Sequence, residues 1–415
     1  MINLSKIVKI QGHELFDSRG NPTVGVELFT ENGGYGFSIV PSGASTGLFE
    51  AHELRDGSAR LSGKGVKKAV EHINSLIAPA LLGHLSENGQ ETDQIMIQLD
   101  GTENKERLGA NAILGVSVAA AKATADERQE PLYKYLAGEN GKILMPRPMM
   151  NILNGGAHAS NNLDIQEFMI QPVENTSFAE NMEICTEIYH TLKGLIAKSG
   201  RSTAVGDEGG FAPDLSGEQE ALDLITEAII KAGYDTERVK ICLDVAASEW
   251  YEDKGVYRLP KAKRRMSTAE LIGYYTELCD KYPIASIEDG IGEKDFEAFA
   301  ELTKAMGYRI QLVGDDLFVT NEARLKAGLL AGAANAILIK PNQIGTLSET
   351  LKVIGLAQEK GYATIISHRS GDSEDSFIAD LAVGTGAGQI KTGAPCRSER
   401  VSKYNRLLMI ESKMK

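Results

Sequence analysis

The chain is short of cysteine, has no long uncharged apolar run and carries no excess of basic residues. Each shortage removes a class of protein. The four cysteines, Cys185, Cys242, Cys279 and Cys396, form no CxxC pair and no compact framework. A disulfide scaffold and a cysteine-ligated zinc module are therefore excluded, and all four read as packing residues of a reduced, cytoplasmic protein. No uncharged stretch approaches the ~18 apolar residues that a membrane span requires. The opening "MINLSKIVKIQGHELFD" alternates and carries charge too early for a secretory apolar core. Lys and Arg number 44 against 57 Asp and Glu, a net charge of −13, which argues against a surface for nucleic acid or anionic membrane.

What is present is 42% hydrophobic residues with mixed charge over 415 residues. That is more than one ordinary core holds, so two domains are expected, and a large α/β barrel can absorb most of the length. The chain changes character near residue 140. Before it, "SKIVKIQGHEL", "TVGVELFT" and "YGFSIV" alternate as strands, with "ENGG" turning the second into the third. The Ala-rich "LGANAILGVSVAAAKATADE" follows with helical spacing. Residues 1–140 read as a small α+β domain.

Residues 141–415 read as a second domain. Two apolar runs, Met149 to Leu153 and Glu167 to Ile170, are too close for a crossover helix and are expected to pair antiparallel. Two helices follow, the first opening on Ser177 and Glu180 as a capping box. A unit of apolar strand, terminal polar residue, loop and usually helix then recurs six times: "VKICLD", "PIASIED", "IQLVGD", "NAILIK", "ATIISH" and "GQIK". Further capping boxes are expected at Ser267 with Glu270 and at Thr346 with Glu349. The order ββαα then (βα)₆ describes a modified TIM-type barrel, and the fold class is α/β.

In such barrels the C-terminal strand ends converge on one functional face. One acid after a strand is more often a helix cap or a turn former. Six polar strand ends in succession, Asp244, Glu288, Asp315, Lys340, His368 and Lys391, share one cause more simply than six. Asp244, Glu288 and Asp315 facing one another would repel without a counter-ion. An all-oxygen set suits a hard divalent cation, so Mg²⁺ is preferred to Zn²⁺. Lys340, His368, Arg369 and Lys391 supply the opposite, cationic wall, fitting a small and strongly anionic substrate. The glycine-rich stretches "AVGDEGGFAP" and "PSGASTG" place Asp207, Glu208, Ser42, Ser45 and Thr46 in loops that could close over it.

At this point the stretches "DSRGNPTV", "PSGASTG", "LDGTENK", "LGANAILGVS", "QEFMI", "VGDEGG", "SIEDG", "GDDLFVTN", "NQIG", "SHRSG" and "QIKTGAP" resemble, in order and over nearly the whole chain, the signatures of the enolases of bacterial type. The resemblance implies a small α+β domain with a mobile loop, a ββαα(βα)₆ barrel, and the reversible dehydration of 2-phosphoglycerate to phosphoenolpyruvate. It implies two Mg²⁺: Asp244, Glu288 and Asp315 correspond to ligands of the first, and Ser45 to a ligand of a second recruited with substrate. Lys340 corresponds to the base that removes the C2 proton, its pKa expected to be lowered by burial and neighbouring cations. Enolase-superfamily sites with a Lys or His base and one or two Mg²⁺ are a standard example of such chemistry.

By the same resemblance Glu208 is the acid toward the departing 3-hydroxyl, with Glu167 its partner and His368 an assistant. His158, Gln166, Arg369, Ser370 and Lys391 correspond to substrate contacts, Arg369 and Ser370 holding the phosphate. A homo-oligomer, dimer or larger, is expected, in the cytoplasm, with an additional cell-surface or secreted pool known for the family. Gly25 and Pro341 depart from the family pattern. A catalytically idle, enolase-like binding protein is the alternative, and it requires loss of a charged site residue. An acid-sugar dehydratase or racemase requires lysines on the second barrel strand, where "QEFMI" has none.

Overall fold

The computed structural model describes residues 5–44, 47–139, 141–174 and 176–414. Strands β1 (Ile7–Phe16), β2 (Pro22–Thr30) and β3 (Tyr35–Ile39) form an antiparallel sheet in that order. The helix Ala110–Glu127 packs on it, buried over most of its circumference. It is a wedge between two layers and not a half-exposed amphipathic helix, which explains its run of alanines. Gly25 has a local reason: a Cβ there would collide with Leu15 Cδ1, so the side chain of β1 occupies the space that β2 leaves.

The closed barrel is built from β4 (Arg147–Asn154), β5 (Glu167–Pro172), β6 (Val239–Asp244), β10 (Ile284–Glu288), β11 (Gln311–Gly314), β12 (Ala336–Ile339), β13 (Ala363–Ser367) and β14 (Gly388–Lys391). They close in the order β10-β11-β12-β13-β14-β4-β5-β6. Only β5 runs against its neighbours, pairing antiparallel with both β4 and β6. Met149, Met169, Cys242, Val313, Ala336, Leu338 and Ile365 fill the barrel interior as one cluster. Between β6 and β10 lies an excursion that the sequence did not disclose, a small sheet of β7 (Tyr251–Asp253), β8 (Val256–Leu259) and β9 (Arg264–Ser267).

The caps occur where expected. Ser267 and Glu270 make the full reciprocal box, while the side chains of Ser177 and Thr346 each accept from the backbone N–H three residues on. Cys185, Cys242 and Cys279 are buried, Cys396 is half-buried and all four are free. Among the described residues no helix is long and apolar enough to cross a membrane.

The two layers meet beside the barrel mouth. Ser42 and Gly371 exchange backbone hydrogen bonds of 2.7 and 2.8 Å, and Lys122 pairs with Asp375 at 2.7 Å. Ser45 and Thr46, in the loop that leaves this junction, lie outside the described residues.

Candidate active site at the barrel mouth

Asp244, Glu288 and Lys391 are the last residues of their strands, whereas Asp315, Lys340 and His368 stand one residue beyond. After β11 and β12 the chain leaves the ladder because side chains capture its amides. The Asp315 N–H donates to Asp289 Oδ1 at 3.0 Å, and the Lys340 N–H to Thr320 Oγ1 at 2.9 Å. Lys340 then becomes the N-cap of a one-turn helix, Pro341–Ile344, with Pro341 at its first position. Proline is favoured there because its missing N–H would have no helical partner. Pro341 therefore fixes the turn after Lys340.

Glu167 reaches the same mouth by the opposite route. Because β5 is antiparallel, its first residue lies level with the last residue of β6, and Glu167 is in register with Asp244. His158, Gln166, Glu167, Glu208, Asp244, Asp315, Lys340, His368, Arg369, Ser370 and Lys391 all line one cleft of about 510 Å³. Glu288 lies beneath it against Lys391. The loop bearing His158 is held by the excursion: Lys261 Nζ, on the turn between β8 and β9, donates to the Gly156 carbonyl at 2.9 Å and the Ala159 carbonyl at 3.2 Å.

The barrel order sorts these groups by charge. Adjacent strands β6, β10 and β11 present Asp244, Glu288 and Asp315 along one arc. On the other arc, β13 leads into His368 and Arg369, and β14 ends in Lys391. Lys340, after β12, stands four strands from Glu167 on β5, diametrically across the eight-stranded barrel.

Lys391 Nζ crosses the interior to lie 2.9 Å from Asp244 Oδ2, 2.9 Å from both oxygens of Glu288 and 3.2 Å from Glu167 Oε2. Burial opposes its charge, but the three carboxylates prevail and hold its pKa well above the usual lysine value. Lys340 pairs with Asp315 Oδ2. Burial presses its pKa down, and Arg369 and Lys391 act the same way, yet the Asp315 carboxylate outweighs them and the net direction is up. The lowered pKa expected for Lys340 from the sequence is thus not found in this state, because its nearest neighbour is an anion.

Glu167 and Glu208 form a pair with unequal protonation. Burial first, then the neighbouring Glu208 charge, raises the Glu167 pKa well above the carboxylate range. Burial also opposes ionisation of Glu208, but the cluster of His368, His158 and Arg400 holds it well below. Glu208 Oε2 accepts a 3.0 Å hydrogen bond from Asn151 Nδ2 and lies 3.5 Å from His368 Nε2. His158 Nδ1 lies 3.4 Å from Glu167 Oε1 and 3.8 Å from Glu208 Oε1. These two directions favour the proton on Glu167 over Glu208 in this state.

On the phosphate side, Arg369 makes a forked pair with Glu50, at 2.9 and 3.1 Å. Ser370 Oγ accepts from the Ala44 N–H at 2.6 Å. Sequence reasoning missed Glu50, Asn151 and Gln343. Gln343 Nε2 donates to Asp315 Oδ1 at 2.9 Å while its own Oε1 accepts from Thr320. Asn151 is an inward residue of β4, Gln343 sits in "NQIG" and Glu50 follows "PSGASTG". Only Gln343 lies inside a quoted motif; no local pattern marks Glu50 or Asn151.

Carboxylates outnumber cations here, and two groups, His158/Glu167/Glu208 and Asp289/Asp315/Asp316, have ligand-type atoms within 4.8 Å of one another. Burial, followed by Asp244, keeps the Glu288 carboxyl well above its usual pKa despite Lys391. Asp316 is pushed up to about 8 by burial and Asp315. A buried acidic cluster that its lysines do not fully neutralise is chemically suited to a hard divalent cation.

Family models match both parts of the chain: the enolase N-terminal domain over residues 7–136 and the enolase C-terminal TIM barrel domain over residues 142–415. The chain belongs to the enolase family. It has an N-terminal α+β layer followed by a closed barrel, in keeping with the C-terminal TIM barrel that the family description names.

Proposed function

We propose that the chain catalyses the Mg²⁺-dependent, reversible dehydration of 2-phospho-D-glycerate to phosphoenolpyruvate, as a hydro-lyase. The observation that carries this reading is the diametric placement of Lys340 and the Glu167/Glu208 pair across a cleft with one acidic and one cationic arc. A base and an acid on opposite sides suit removal of a proton from one face of a substrate and departure of a hydroxyl from the other.

Lys340 accepts the C2 proton as a free amine, its ammonium first releasing a proton to solvent when Asp315 no longer holds it. The loss of that proton adds negative charge next to the substrate carboxylate, and Lys391, kept protonated by its neighbours, remains available as a fixed positive charge. The Glu167/Glu208 pair carries one proton, which passes to the departing 3-hydroxyl so that it leaves as water, with His158 and His368 bordering the pair. Arg369 and Ser370 bind the phosphate, with Glu50 orienting the guanidinium, and Gln166 contacts the substrate.

Asp244, Glu288 and Asp315 would hold the first Mg²⁺, and Ser45 a second that arrives with substrate. Bound there, Mg²⁺ would supply positive charge that offsets the extra charge on the substrate carboxylate, and Asp315, as its ligand, would be less available to Lys340. The small domain, residues 1–140, contributes the loop and the barrel, residues 141–415, the remaining groups. The test is direct. Purified protein with 2-phosphoglycerate and Mg²⁺ should generate the ultraviolet absorbance of an enol phosphate, and EDTA should abolish it. Absence of turnover with Mg²⁺ present would refute the reading.

A further inference from the structure

The C-terminal helix, Ser398–Met414, sends one fully buried arginine to the back of the cleft. Arg400 has no exposed surface. Its Nη1 donates to His368 Nδ1 and to the Arg369 carbonyl, both at 2.6 Å, and its Nη2 donates to the carbonyls of Asp207 at 3.0 Å and Ser370 at 2.6 Å. The four terminal protons of the guanidinium are therefore all committed to acceptors. A guanidinium cannot accept and does not lose its proton in a protein. His368 Nδ1 must consequently be the bare nitrogen of a neutral ring, and the ring's one proton lies on Nε2.

That nitrogen is 3.5 Å from Glu208 Oε2 and, among the described residues, makes no hydrogen bond. We infer that Arg400 is a positioning residue of this site: it fixes His368 as the neutral Nε2–H tautomer aimed at Glu208, and ties the Glu208 loop to the Arg369–Ser370 segment. The role attributed to Glu208 in this inference rests on the function proposed above; the tautomer does not.

Two features fit this assignment. Burial, with Arg400 adding to it, pushes the His368 pKa down to about 4 even though Glu208 and Asp372 act in the other direction, so the ring stays neutral under ordinary conditions. Lys403, one helical turn after Arg400, pairs with Asp372 at 2.9 Å and holds the next stretch of the same segment. A lysine in place of Arg400 would offer a point donor that cannot span acceptors on both loops, whereas the planar guanidinium satisfies groups from two separate loops at once.

Two measurements test it. In the wild-type protein labelled with ¹⁵N-histidine, and with His368 assigned from the resonances missing in a His368→Gln variant, that ring should show a protonated Nε2 and a bare Nδ1 at neutral pH. A proton on Nδ1 would overturn the inference, whether or not the protein turns over 2-phosphoglycerate. Arg400→Met, which keeps bulk but cannot donate, should lose the single-tautomer signature and lower kcat roughly 10²-fold, as expected when a catalytic group is misplaced, with KM changing far less. Arg400→Lys should recover part of kcat. An Arg400→Met protein with wild-type kcat and an unchanged His368 spectrum would refute the assignment. If that variant does not fold, the wild-type spectrum decides alone.

Discussion

Lys340 and Lys391 are both buried ammonium groups, and their surroundings separate their roles. Three carboxylates surround Lys391, whereas Lys340 has one close anion and two cations that oppose its charge. Only Lys340 is one partner away from losing its proton, so Lys340→Ala should lower kcat by at least ~10²-fold, the low end for losing a positioned acid or base. A steady-state rate within a few-fold of wild type would remove Lys340 from the mechanism. His368 gives a stability prediction with a definite sign. Its folded-state pKa is about 4, below the ordinary 6.5, so between those values the unfolded chain binds a proton that the folded chain lacks. The fold should therefore lose stability as pH falls from about 6.5 to 4, by on the order of 3 kcal/mol from this group. Urea unfolding across that range should show a shallower loss for His368→Gln than for wild type, and equal slopes would contradict the buried neutral ring.

Among the elements, the most informative is the turn Thr320–Lys340–Pro341–Gln343. Thr320 accepts the Lys340 N–H and donates to Gln343, which in turn holds Asp315. Thr320→Val keeps the shape but leaves a buried donor and an acceptor unmatched. It should cost ~1–3 kcal/mol in unfolding free energy and lower kcat more than Pro341→Ala, which only frees the backbone of a position already suited to a helix start. If Pro341→Ala proves the more damaging in paired assays, the turn is not held as described. Strand ends were legible in the sequence because buried barrel strands are short apolar runs stopped by a charge. The antiparallel β5 was legible because no crossover helix fits before it. The excursion β7–β9 was not, since its strands are three or four residues long, largely exposed and rich in charged residues. The side-chain capture of the Asp315 and Lys340 amides depends on Asp289 and Thr320, tens of residues earlier in the chain, and no local pattern announces it.

At the scale of the whole molecule, the chain accumulates negative charge and concentrates some of it inside the barrel mouth. The alternation of strand and helix made the barrel legible. The spatial order of its strands explains what a linear reading could not: acids and cations separate onto two arcs, with Lys340 opposite Glu167. The excess of buried carboxylates has a consequence for stability. Glu288 and Asp316 have folded-state pKa values above the ordinary range, Asp316 near 8, so without a cation the fold should lose stability as pH rises through those values. Mg²⁺ competes with protons for such groups and should raise Tm more at pH 8 than at pH 6. An equal shift at both, followed by thermal melts with and without EDTA, would place the ion elsewhere.

The division of labour between Lys340 and the Glu167/Glu208 pair is tested most directly by exchange of the C2 hydrogen of 2-phosphoglycerate in D₂O, followed by NMR with Mg²⁺ present. Wild-type protein should exchange that hydrogen and form phosphoenolpyruvate. Glu208→Gln should retain exchange while losing most product formation, and Lys340→Ala should lose both. Undiminished C2 exchange in Lys340→Ala would contradict the assignment of Lys340 as the base.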